Sequence, residues 1–67
     1  MSNITGRLIN ARRVPIHPTG YIIVGDIYED ARNRFPDGAE VRTSPVLSEE
    51  GAIILTANSI YEIEGWA

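Results

Sequence analysis

The run Tyr21-Ile22-Ile23-Val24-Gly25-Asp26-Ile27-Tyr28 constrains this chain more than any other feature. It is dense in β-branched and aromatic residues, which fit a pleated, packed surface and lose χ1 freedom in a helix. Strand alternation puts Ile22, Val24, Asp26 and Tyr28 on one face and Tyr21, Ile23, Gly25 and Ile27 on the other. Apolar side chains on both faces demand a central strand with cover above and below. Gly25 marks a bend or a bulge where that strand curls, as in a barrel. No segment sustains a helical period beyond two turns.

The punctuation between apolar runs divides the rest. Ile4 to Val14 reads as a first strand, with Gly6 tolerated by twist. Pro15-Ile16-His17-Pro18-Thr19-Gly20 enforces a loop. Glu29 to Phe35 is polar and supports one helical turn at most. In Phe35-Pro36-Asp37-Gly38, proline presets φ at the second turn position and glycine takes the left-handed one, launching a strand over Ala39 to Thr43. Pro45 removes a ladder donor, so Ser44-Pro45 belongs at an edge or bend, with Val46-Leu47 resuming the strand. Glu49-Glu50-Gly51 turns the chain into Ala52 to Thr56. Ala57-Asn58-Ser59 is a polar break, and Ile60 to Trp66 closes the chain with Tyr61 and Ile63 facing opposite to Glu62 and Glu64. The expectation is one all-β domain over residues 1–67: a small five-stranded SH3-like barrel or a strongly bent antiparallel sheet. OB-like and meander connectivities fit the same strands, because register decides between them.

Size sharpens this. A chain of 67 residues buries only about 60% of its unfolded surface. With no cysteine, neither disulfides nor thiolate metal sites can staple it. Association into a homo-oligomer is therefore expected, with Tyr21, Tyr28, Tyr61 and Trp66 as interface candidates. The N-terminus has no apolar export segment and the longest aliphatic runs cannot span a bilayer, so a cytosolic setting and no membrane partner are expected.

Charge is unevenly placed. Residues 1–25 hold Arg7, Arg12 and Arg13 and no acid; the remainder holds nine acids against Arg32, Arg34 and Arg42. All six cations are arginine, whose planar donor fork suits carboxylate and phosphate. Two readings stand: a basic first strand paired with acidic neighbours, or an anion pocket. Polymeric nucleic acid is disfavoured, because the sequence pI is about 4.9 and the aromatics lack flanking cations.

Catalytic signals are weak. His17 lies between prolines and no nucleophile elbow is present. Asp26, Glu29 and Asp30 lack the oxygen spacing of a calcium loop. No Gly-rich phosphate loop opens a helix. The expectation is a binding protein with no enzymatic activity, no metal and no cofactor. Its most distinctive residues are two polar runs, Arg42-Thr43-Ser44-Pro45 and Thr56-Ala57-Asn58-Ser59. A hairpin about Glu49-Glu50-Gly51 brings both to the same end. Either their hydroxyls and amide satisfy turns and cross-strand pairs, or they wall a small anion site. In that site Arg42 supplies charge and Thr43, Ser44, Thr56, Asn58 and Ser59 supply hydrogen bonds.

The segment Arg34-Phe35-Pro36-Asp37-Gly38-Ala39-Glu40-Val41-Arg42-Thr43-Ser44, followed by Thr56-Ala57-Asn58-Ser59-Ile60-Tyr61, resembles short proteins of tailed bacteriophages. They share a Phe-x-Asp-Gly turn, a Thr-Ser pair and a terminal Thr-x-Asn-Ser-x-Tyr. The likeness covers about residues 20–63 and does not extend to Ile4–Pro18. It implies a genetic context and carries over no catalytic residue. The resulting expectation is a phage counter-defence factor in the host cytoplasm that binds or sequesters a small nucleotide-type anion as an oligomer. The alternatives are an inhibitor of a host protein, docking through Trp66, Glu62 and Glu64, or a small virion or assembly component.

Overall fold

The computed structural model describes residues 4–67. They form a single six-stranded sheet and no helix. The strands are β1 (Gly6–Pro15), β2 (Tyr21–Tyr28), β3 (Ala39–Arg42), β4 (Val46–Glu50), β5 (Ile53–Thr56) and β6 (Ile60–Ile63). Their order across the sheet is β3-β2-β1-β6-β5-β4. Two antiparallel meanders, β1-β2-β3 and β4-β5-β6, are thus joined through β1 and β6. That central pair runs parallel, with Gly6 opposite Tyr61 and Leu8 opposite Ile63.

The all-β expectation is met, and three details differ from it. The sheet has six strands instead of five, because the segment read as one interrupted strand is two. Thr43 ends β3 by giving its N–H to the Ile23 carbonyl and accepting the Ile23 N–H on Oγ1, at 2.9 Å each. Pro45 cannot donate, and β4 begins beyond it against β5. The sheet is mixed instead of antiparallel throughout, since β6 returns beside β1. It is also not closed into a barrel: β3 and β4 remain its two edges. It is nonetheless strongly bent. Tyr21 on β2 donates its hydroxyl to Glu49 on β4 at 2.6 Å, although three strands stand between them in the order.

That curl encloses the core. Leu8, Ile23, Ile27 and Ile54 are fully buried, joined by Ala11, Val41, Tyr61 and Ile63. Along β6, Tyr61 and Ile63 point inward, while Glu62 and, just past the strand, Glu64 both reach Arg7 on β1. The bulge anticipated at Gly25 lies in the opposing strand. Register between β1 and β2 slips between Ile9 and Arg12, where Asn10 adopts a left-handed φ of 55°. Gly25 is the residue on which that bulge rests, since a Cβ there would stand 3.2 Å from both the Ala11 Cα and the Ile9 carbonyl oxygen.

The segment from Glu29 to Phe35 is a loop with no helical turn. Asp30 is buried and its carboxylate accepts the backbone N–H groups of Arg32, Arg34 and Phe35 at 2.8–3.1 Å. A short side chain that hydrogen-bonds nearby backbone draws the chain out of a helix and into a turn. In the following turn Ala39 N–H bonds the Pro36 carbonyl, so Gly38 (φ 89°) is the third residue and proline the first, one place earlier than expected.

Candidate functional site

The β5–β6 turn is built by Thr56. Its backbone N–H bonds the Ser59 carbonyl at 2.9 Å, and its hydroxyl oxygen accepts the Ser59 N–H at 3.1 Å. This tight closure holds Ala57 and Asn58 outward. Beside it the residue just before β1 is tied in, with Thr5 N–H on the Ile60 carbonyl at 2.6 Å and Ile60 N–H on Thr5 Oγ1 at 3.3 Å. The Asp30 loop is anchored to the same place through Ala31 N–H on the Thr5 carbonyl at 2.7 Å. It delivers Arg32, whose guanidinium donates to the Asn58 carbonyl at 2.5 Å.

These elements line an open, shallow cavity of about 280 Å³. Thr5, Arg32, Asn58 and Ser59 supply its polar wall, and Leu55 and Ile60 its apolar one. The Ser59 hydroxyl makes no hydrogen bond within the described residues. Since no buried side-chain polar atom there lacks a partner, that hydroxyl is reached by solvent. The remaining guanidinium donors of Arg32 are likewise unengaged.

Three of the expected ligand residues, Thr56, Asn58 and Ser59, border this cavity. A fourth, Ser44, is linked to it by the Asn58 side-chain amide, which donates to Ser44 Oγ at 3.2 Å. The two polar runs therefore do meet. Two threonines serve structure instead: Thr43 Oγ1 bonds Ile23 N–H and the Ser44 carbonyl, and Thr56 Oγ1 closes its own turn. Arg42 is not in the lining. It is exposed on β3, alternating with buried Val41 and Thr43, so it points to the outer face of the sheet. The guanidinium at the cavity is that of Arg32. Sequence reasoning passed over it because the loop containing it had no periodic signal.

Ion pairing separates the arginines clearly. Arg7 meets Glu29 at 2.9 Å and Glu64 at 3.0 Å, Arg12 meets Glu40 at 3.2 Å, and Arg13 clasps Glu49. Arg34 lies 3.7 Å from Asp30. The basic first strand is thus paired with acids of the same chain. Among the described residues only Arg32 and Arg42 have no carboxylate partner.

The expected interface aromatics divide as well. Tyr61 is buried in the core of the subunit. Tyr21 is half-buried with its hydroxyl on Glu49, and Tyr28 is half-buried near Gly38. Trp66 is 42% exposed and carries the Arg13 guanidinium 4.1 Å above its ring.

The Arg13–Glu49–Tyr21 cluster is the other organised polar group. Hydrogen bonds from Arg13 and then Tyr21 hold the Glu49 carboxyl below its usual range, and Glu49 in turn holds the Tyr21 phenol above its own. For Asp30, burial pushes the carboxyl up, but the backbone N–H bonds of Arg32, Arg34 and Phe35, together with the Arg34 charge, outweigh it and leave the group below its ordinary value. Among the described residues no three His, Asp or Glu side chains gather to hold a metal ion. Nor is there a helix long and apolar enough to cross a membrane. No protein family, curated protein or solved structure matches the chain.

Proposed function

We propose that this chain is a non-enzymatic binding protein whose ligand is a small nucleotide-type anion held at the Arg32–Asn58–Ser59 cavity. The observation that carries this reading is a guanidinium with no carboxylate partner among the described residues, placed beside a solvent-reached hydroxyl and an apolar wall. A phosphate meets the Arg32 fork and the Ser59 hydroxyl, while Leu55 and Ile60 offer a surface for a flat base. The cavity, at about 280 Å³, is just below the usual range of small-molecule sites, which begins at about 300 Å³. It suits a compact ligand over a polymer. Such binding accords with a phage accessory role in the host cytoplasm, where sequestering a nucleotide signal would blunt a defence response.

Isothermal calorimetry with cyclic mononucleotides and with inorganic phosphate tests the reading. A charge-assisted hydrogen bond contributes about 1.5–3 kcal/mol, so Arg32→Ala should weaken binding roughly tenfold to a hundredfold at unchanged folding. No heat from the wild-type protein with any of these anions would end it.

A second reading is favoured by one feature. Leu47 is 67% exposed on β4, and Ile53 and Leu55 are exposed on the adjoining strand. That apolar surface would suit a protein target. Docking through Glu62 and Glu64 has less support, because both already engage Arg7. Recovery of one specific host protein by the wild type and not by Leu47→Asp would favour this alternative.

A further inference from the structure

The two sheet edges are defended very differently. β4 is preceded by Pro45, carries a register slip between Val46 and Ser48, and ends in Glu49 and Glu50. Prolines, bulges and clustered charge are the usual means of preventing an edge from pairing. β3, with the sequence Ala39-Glu40-Val41-Arg42, has no proline and no register slip, and its two charges are of opposite sign, one on each side of Val41. Among the described residues nothing lies beyond it in the sheet, and its only strand partner is β2.

Its free hydrogen-bonding groups can be assigned. Thr43 N–H points at Ile23 on β2. Strand alternation then turns Val41 toward β2 as well, and leaves the N–H and C=O groups of Glu40 and Arg42 facing the open edge. Both side chains lie exposed on the outer face. Among the described residues Arg42 has no carboxylate partner, whereas Glu40 is 60% exposed and already holds Arg12 at 3.2 Å.

We infer that β3 is the contact strand of a two-fold homodimer, pairing antiparallel with β3 of a second copy about Val41. This register is the one that uses every free group. Val41 faces Val41 as the non-hydrogen-bonded pair. Glu40 of each copy faces Arg42 of the other as a hydrogen-bonded pair, with Cα atoms about 5.5 Å apart. Each Arg42 thereby gains the carboxylate it lacks, and each Glu40 bridges Arg12 of its own chain and Arg42 of the second copy. Opposite charges directly across strands are favourable, and like charges unfavourable. The resulting sheet has twelve strands, twice the six of one chain. This contact does not depend on the Arg32 cavity or its ligand.

Charge exchange tests it. Sedimentation velocity and native mass spectrometry should show a dimer for the wild type. Arg42→Glu and Glu40→Arg should each give monomers at the same concentration, with the far-ultraviolet circular dichroism of the wild type. An equimolar mixture of those two variants should restore a dimer containing one of each, because acid then faces base at both sites. The double variant E40R/R42E should dimerise by itself. A wild-type monomer across the micromolar range, single variants that remain dimeric, or a mixture of variants that stays monomeric would each overturn the assignment. If a single variant fails to fold, the double variant and the wild type still decide between the outcomes. Binding of phosphate at Arg32, measured on the same variants, should be unchanged.

Discussion

Glu49 ties three strands of the curled sheet together. From β4 it accepts the Tyr21 hydroxyl of β2 and both donors offered by Arg13 of β1, while Arg13 covers Trp66. Its side chain is 18% exposed, so solvent screens these bonds less than it would an ordinary surface pair. A carboxyl held below its ordinary value favours the folded state at pH values above the unfolded one, near 4.5. That contribution is lost as pH falls through the lower folded value. Urea midpoints measured from pH 6 down to about pH 2.5 should therefore fall less steeply for Glu49→Gln than for the wild type. Parallel curves would mean the clasp contributes nothing. The same scale explains why Thr43 and Thr56 were ambiguous in sequence: a hydroxyl that caps a turn and one that binds a ligand sit in identical local patterns. Only the position of Ile23 N–H and Ser59 N–H assigns these two to structure.

At the level of elements, the bend depends on the fit between the β1 bulge and Gly25. The bulge inserts an extra residue with Asn10 in the left-handed region, and its side-chain amide reaches Asp26 at 3.1 Å. Gly25 admits it because there is no Cβ to meet Ala11 and Ile9, both of which approach with backbone atoms that cannot swing aside. Gly25→Ala should accordingly destabilise by about 1–3 kcal/mol, read from chemical denaturation. A change under about 0.5 kcal/mol would show that the strands can part without cost. The glycine was legible as a bend signal; that the bulge belongs to its neighbour was not, since register is a property of two strands together. The boundaries of β2 follow directly from its composition. Those of β1, β5 and β6 shift by one to three residues, because strand ends are set by partners instead of by local preference.

For the molecule as a whole, stability rests on a core of few side chains. The four that are fully buried, Leu8, Ile23, Ile27 and Ile54, come from β1, β2 and β5, and so draw on both meanders. Truncating a buried isoleucine to alanine costs about 2–5 kcal/mol, which is comparable to what a single small core supplies. Ile54→Ala should therefore be largely unfolded at room temperature by circular dichroism, and retention of a cooperative melt near that of the wild type would contradict this. The exposed ion pairs of Arg7 and Arg12 are individually weak. They do fix which acids face the first strand, and so leave Arg32 and Arg42, among the described residues, as the arginines with no carboxylate partner.

By itself the sequence determined an all-β chain, its central strand, the glycine turns and the two polar runs, because strand periodicity and turn chemistry act over a few neighbouring residues. It also carried the association of those runs, which meet through Asn58 and Ser44. Tertiary structure alone decided that β3 and β4 lie at opposite edges, that β6 runs parallel to β1, and that Arg32 instead of Arg42 borders the cavity. The physical reason is common to all three. Each depends on contacts between residues far apart in the chain, where closing a long loop is offset only by pairing and burial that no local pattern encodes.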